Sequence, residues 1–510
     1  MMEQAQDSRP PAPPARRLGT WLVRAVLVVG AILSSIAAAE PWAPPGDMRL
    51  RDDLLRLNDA GVTDLPLSSW PLSWGDIDRG LLTAETDMLS PELARVLHRV
   101  REGTRAESVA DEWRARVRIS AASNPRVVRS FENTPREEAE LSAAIDWMGT
   151  ALAVNLQVSA VASPFDGDEI RPDGTYIGLA LGNWMLSAGW QERWWGPGWG
   201  GSLILSNNAR PAPGIAVQRN SSTPFTTKWL RWIGPWSLTS FVNLLDDERE
   251  VDDALLFGLR VAMRPAPGLE IGLSRAAQWC GDGRPCDFSV FVDMLLGRDN
   301  QGVNVAADEE PGNQLAGIDI RWSLPRQIPL AVYMQWIGED GRDSKAIPGS
   351  WLRQAGVELW GSVGGLSHRT HLEVSETTCR EGGFGFADEK PNCAYDHSIY
   401  RTGFRYKERS LGHSVDGDGL SYSLGSTLVQ SAGHSWNILL RYMEINRAGA
   451  PDPRHSISAT PQDLADIQLT HYRDTPIGRF GLGLGYSRLD DSATGSSNNE
   501  AAAFIQWSIQ

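Results

Sequence analysis

Lysine is nearly missing from this chain. Only Lys228, Lys345, Lys390 and Lys407 stand among its 48 basic residues, so almost every positive charge is an arginine fork. Net positive charge is missing too. The formal charge is −15, and because residues 1–39 carry four arginines against two acids, the remainder is near −17. That excludes a nucleic-acid partner held by charge, and it offers no bulk attraction to an acidic polymer. Past residue 39 no stretch approaches the roughly 18 consecutive apolar residues of a membrane-spanning helix. Histidine is scarce, and His368 and His371, three apart, fall on opposite faces of a strand, which does not suit one metal. Neither a Gly-x-Ser-x-Gly elbow nor a His-Glu-x-x-His helix occurs. The acidic pairs Glu339-Asp340 and Asp246-Asp247 could in principle cleave glycosides, but read better as solvated loop charge. We therefore expect no catalyst, no cofactor and no metal.

Cysteine is limited to four. Cys280 and Cys286 bracket Gly-Asp-Gly-Arg-Pro, and Cys379 and Cys393 bracket a glycine-rich loop. Short loops of this kind suit disulfides in an oxidising compartment, on external loops, although four cysteines permit three pairings. A zinc site is the alternative, and neither spacing is a metal knuckle. The leader agrees with export. Arg16, Arg17 and Arg24 precede an apolar run from Ala25 to Ile36, and Ala37-Ala38-Ala39 offers a cleavage site, so residues 1–39 read as a signal peptide.

Residues 40–111 read as a small helical unit of about three helices. Asp47 is placed to cap a helix with Leu50, Leu54 and Leu57 on one face and Gly61 as its stop. Ser90-Pro91-Glu92 is a second start, followed by Leu93, Val96, Leu97 and Val100 at helical spacing. Between them lies a Trp/Pro loop, Leu67–Gly75.

From residue 112 to 510 the period is two. Leu152, Val154, Leu156 and Val158 alternate with Ala153, Asn155 and Gln157; Phe480, Leu482, Leu484 and Tyr486 alternate with glycines. Segments of about ten residues, each with one apolar and one polar face, are the signature of a transmembrane β-barrel. Tight connections at 264–268, 325–328, 361–365 and 474–476 alternate with long ones at 246–253, 297–313, 339–350 and 446–463. Between Thr378 and Gly419 the alternation loses phase, as if one strand were missed or invented.

One stretch stands apart: Arg193-Trp194-Trp195-Gly-Pro-Gly-Trp199-Gly-Gly, running on to Asn207, Asn208 and Arg210. Glycine and proline bar a regular helix or a central strand. Flat tryptophan rings beside amide and guanidinium forks suit a sugar, which has apolar C–H faces and hydroxyl edges. The plainer alternative is a tryptophan-capped turn that closes a barrel wall.

Several stretches now combine: Leu54–Ile77, Arg193–Pro213, Ser274–Cys286, Gln335–Asp340, and the run Cys393-Ala-Tyr-Asp-His through Arg405-Tyr406 to Gly412–Asp418. On these the chain resembles the Wzi family of outer-membrane capsule assembly proteins. The resemblance implies an all-β transmembrane barrel of about 18 antiparallel strands, with residues 40–111 as a small N-terminal helical bundle that forms a periplasmic or plug unit. It implies a surface lectin in a Gram-negative outer membrane that binds and retains capsular or exopolysaccharide and aids capsule assembly. Polysaccharide, outer-membrane lipid and the polysaccharide-export machinery are the implied partners, with a monomer as the unit. The glycan-binding candidates are Arg193, Trp194, Trp195, Trp199, Asn207, Asn208 and Arg210, with Trp279, Glu339, Asp340, Arg405, His413, Asp416 and Asp418 as a secondary motif. A sugar-conducting porin and an outer-membrane hydrolase are the competing functions.

Overall fold

Strand after strand, polar side chains point inward and apolar ones outward, the inverse of a soluble protein. Along Leu420–Gln430, Ser421, Ser423 and Thr427 are buried, whereas Tyr422 is 46% and Leu424 43% exposed. Only a lipid surround makes that arrangement favourable. The computed structural model describes residues 41–82, 84, 89–246, 249–295, 312–324, 328–341, 348–382, 386–430, 433–447 and 452–509. The expected leader and most of the 297–313 connection lie outside these residues.

Eighteen long strands close into one antiparallel barrel, each paired with its neighbour in sequence. Trp113–Ala122 seals the seam against Ser497–Ile509. The tight connections among the described residues, such as Val363 to Leu366 and Thr475 to Gly478, all fall at one end. By the usual asymmetry of such barrels that end faces the periplasm. The phase problem resolves simply: Leu366–Glu381 pairs directly with Leu420–Gln430. Between them only the two-residue strand Glu389–Lys390 joins the sheet among the described residues, against Cys379 and Arg380. The intervening chain is one long outer connection, with a two-residue hairpin at Arg405–Tyr406 and Arg409–Ser410.

The helical unit forms as its signals predict. Helix α1, Met48–Asp59, is capped by Asp47 Oδ1, which accepts from the amides of Arg49 and Leu50 at 2.9 and 3.0 Å. Helix α2 is Trp74–Leu82, and α3, Pro91–Glu107, is capped by Ser90. Leu54, Leu57, Leu65, Leu81, Val96 and Leu97 join in one apolar cluster among the three helices. An amphipathic helix ordinarily turns its polar face to water. That of α1 is instead buried inside the barrel.

The wall supplies what water cannot. Arg369 Nε donates to Asp52 Oδ1 at 2.7 Å, and Arg321 Nη1 to Asp59 Oδ1 at 2.8 Å. Glu358 accepts from both arginines, at 2.7 and 2.8 Å. Arg56 completes the set on Asp52 at 2.8 Å. Breaking such a buried network from one side leaves a bare charge, at a cost of about 3–5 kcal/mol. Arg369→Met should therefore lower the temperature at which the folded gel band of an unboiled sample converts to the unfolded one. An unchanged conversion temperature would show that these pairs do not hold the helix in place.

Candidate functional site

The tryptophan stretch is threaded into the lumen. Trp194 and Trp195 pair as a short antiparallel ribbon with Trp70 and Ser69 of the helical unit, and the Trp195 amide bonds Leu205 O at 2.9 Å. Its glycines are required by close approach. A Cβ on Gly198 would stand 2.6 Å from the Gln354 amide, and one on Gly200 would stand 2.7 Å from Ser423 Oγ. Trp199 is held at several points. Its backbone N–H donates to Glu373 Oε2 at 2.8 Å, and its indole N–H to Glu358 Oε1 at 3.0 Å. Its ring stacks on His371, with centroids 5.3 Å apart, and the Arg51 guanidinium from α1 lies 4.0 Å over it. Phe131, from the connection after the first strand, meets Trp70 and Trp194 edge-on at 5.3 and 5.2 Å.

Trp194, Trp195 and Trp199 are each 1% exposed. Protein covers these rings, which are the apolar filling between helix, wall and outer connections, and Trp199 faces the lumen and not the membrane interface. Arg193 is also buried, its guanidinium 4.4 Å over Phe241, and burial lowers it to about 10. Asn207 and Asn208 donate to the carbonyls of Phe131 and Ser410 at 3.1 and 2.9 Å, tying the stretch to the outer connections. Arg210 differs. It reaches the outer end and pairs with Asp166, Asp168 and Asp173 at 2.7 to 2.8 Å. Burial opposes its charge, but Asp173 and Asp166 outweigh that and raise the guanidinium above its usual value.

The secondary motif gathers in the outer connections. Arg405 grips Asp416 with two bonds of 2.8 Å and Asp396 with a third of 2.8 Å. Burial works against ionising Asp416, and Arg405 more than offsets it, so that carboxyl stays below the usual range. Burial lowers His413 to about 3, with Arg441 adding to the effect, and its Nδ1 accepts from the Val415 amide at 3.1 Å. A neutral imidazole locked to backbone is a positioning group. Glu339 accepts from the Tyr395 amide at 3.0 Å. The Asp340 side chain lies outside the described residues. Trp279, at its strand's outer end, packs on Phe291 at 5.0 Å. Both disulfides form as expected, Cys280 with Cys286 and Cys379 with Cys393, at the outer end. Glu339 lies beside the second pair, whose joined sulfurs cannot serve as thiolate ligands.

A family model, capsule assembly protein Wzi, matches residues 109–491. The chain belongs to the Wzi capsule assembly family. A 55.8 kDa protein from the cps region of Klebsiella pneumoniae is 31% identical, covering 96% of this chain and 94% of that one. The solved structure of Escherichia coli Wzi, an outer-membrane protein involved in group 1 capsule assembly and described as a carbohydrate-binding β-barrel, superposes with a TM-score of 0.79. Its identity is 28%, and the match covers 92% of this chain and 99% of that one. This member of the family is thus an outer-membrane β-barrel.

Sequence reading missed the outer arginines Arg129, Arg136 and Arg409. The spacing of Arg126, Arg129 and Arg136 within one connection was the available signal. It also missed that Asp418 is strained electrostatically. Its Oδ2 accepts from the Asn392 amide at 2.7 Å, and its Oδ1 has no partner among the described residues. Burial, with Asp396 and Asp452 nearby, pushes this carboxyl from 3.8 up to about 6, against the opposing pull of the Asn392 bond and His455. The folded loop thus holds a proton that the unfolded loop releases. Its contribution, on the order of 2 kcal/mol, is full below about pH 4 and lost as pH rises through 6. Hydrogen exchange of residues 392–418, corrected for intrinsic rates, should show stronger protection at pH 4.5 than at pH 7. Asp418→Asn should flatten that difference; an unaltered difference would place its origin in another group.

Proposed function

We propose that the protein is a non-catalytic carbohydrate-binding barrel. It holds capsular or exopolysaccharide at the outer surface and so assists capsule assembly. The filled lumen carries this reading. A barrel whose interior holds α1 and three buried tryptophans presents a polymer with loops over a packed segment, which argues against the porin alternative. Family membership and the carbohydrate binding of the Escherichia coli relative support the same assignment.

The tryptophan stretch then has a supporting role. Trp195 and Trp199 fix the outer connections from below, Asn207 and Asn208 pin them laterally, and Arg210 braces the 163–175 connection from its surface side. Arg405, Asp416 and His413 give the 382–419 connection its shape, and no hydrolytic step is assigned to them. Single loop contacts with sugar are weak, so a long chain is held by many barrels at once. The barrel acts as a monomer and takes the polymer from the export machinery.

Deleting the gene in a polysaccharide-producing cell should move most of the cell-attached polysaccharide into the medium, and restoring it should reverse the shift. The purified full-length protein should bind that polysaccharide without shortening it. A surface layer unaltered by the deletion would contradict retention, and new reducing ends would make the protein a hydrolase.

A further inference from the structure

Above the tryptophans the outer connections enclose a small pocket of about 30 Å³. Six cations line it, Arg126, Arg129, Arg136, Arg210, Lys407 and Arg409, against two carboxylates, Glu137 and Asp166. Four of the cations have acidic partners. Arg210 has its three aspartates, Lys407 has Asp168, Arg136 has Glu192 and Arg126 has Asp466. The other two have no carboxylate partner among the described residues. Arg129 is only 6% exposed, and its Nε and Nη1 are buried with no hydrogen-bond partner among those residues. Arg409 lies 4.1 Å over the Phe165 ring and, among the described residues, donates only to the Val127 carbonyl, at 3.4 Å. Burial and the neighbouring Arg136 push both guanidiniums below the usual arginine value, and the opposing pull of Glu192 on Arg129 and of Glu137, Glu408 and Asp166 on Arg409 does not restore it. A guanidinium removed from water without a counter-ion is costly, and an anion brought to it relieves that cost.

We propose that this pocket binds the carboxylate of an acidic sugar unit, such as a uronic acid, with Arg129 and Arg409 as its partners. The proposal rests on the retention reading above and names the chemistry that the retained polymer must carry. Size sets the ligand. One water needs about 10–15 Å³, so the pocket takes roughly two oxygen atoms. That fits a carboxylate and excludes a sugar ring. Shape agrees, because an arginine fork matches the two oxygens of a carboxylate. The ring would remain at the mouth, where Phe165 is 50% and Val127 41% exposed and offer an apolar floor to its C–H face. A chain of net charge −15 repels an acidic polymer at long range, so a local cationic socket is what such recognition requires.

The test uses full-length protein in detergent and the extracellular polysaccharide of the producing cells, native and after its carboxylates are reduced to primary alcohols. Native polymer should bind, and reduced polymer should bind about tenfold more weakly or worse, as expected for loss of a charge-assisted bond. This arm leaves the protein untouched, so folding does not enter. Arg409→Gln, at the rim, should weaken binding of native polymer by a similar factor and leave binding of reduced polymer unaffected. Arg129→Gln should do the same, with the folded gel band as its control. Equal binding of native and reduced polymer, or a natural polysaccharide free of carboxylates, would overturn the inference while retention stands. Failure to bind either polymer would overturn the retention reading and this inference with it.

Discussion

Charges buried inside a barrel need partners, and Glu358 is where that need is met most densely among the described residues. This one carboxylate accepts from Arg321 and Arg369 of the wall and from the Trp199 indole of the threaded segment. Through the same arginines it is joined to Asp52 and Asp59 of α1. Helix, wall and threaded segment therefore depend on one group of charges. Apart, these elements leave charge unmatched: the helix would bury Asp59 bare, and the wall would set two arginines against the single carboxylate of Glu358. Glu373 repeats the pattern, taking the backbone amides of Trp199 and Gly200 and the Tyr333 hydroxyl.

This constraint separates the two ends of the molecule by chemistry. Toward the periplasm, short turns and the helical unit meet through ion pairs and leucine packing. Toward the outside, long connections are closed internally by two disulfides and by the Arg405–Asp416–Asp396 set. The tryptophan stretch joins the two halves, since Trp194 pairs with Trp70 below while Asn208 ties to Ser410 above. Shape in the outer loops is thus inherited from the filled lumen.

Much of this was legible in the chain. The two-residue period marked the barrel because lipid demands an apolar outer face, and the caps at Asp47 and Ser90 marked their helices because orphan amides demand acceptors. The tryptophan stretch was legible as unusual but not in its direction. Composition shows that Trp195 and Trp199 want apolar contact and one acceptor each; it does not show whether sugar or protein supplies the contact. Charge on alternate strand positions, as in Glu358 and Arg369, likewise reads as lumen-facing polarity, and only the pairing register shows that α1 is its partner. The socket around Arg129 was legible only as three arginines in one connection, because three further connections distant in sequence complete it.

The shape of the outer loops depends on a lumen that is structural filling and not a path. Planar-bilayer recording of the purified full-length protein tests this most directly. The packed helix and tryptophans predict insertion without stepwise conductance, and no change on adding sugars. Regular open-channel steps that soluble oligosaccharides block would contradict it and make the protein a sugar-conducting porin.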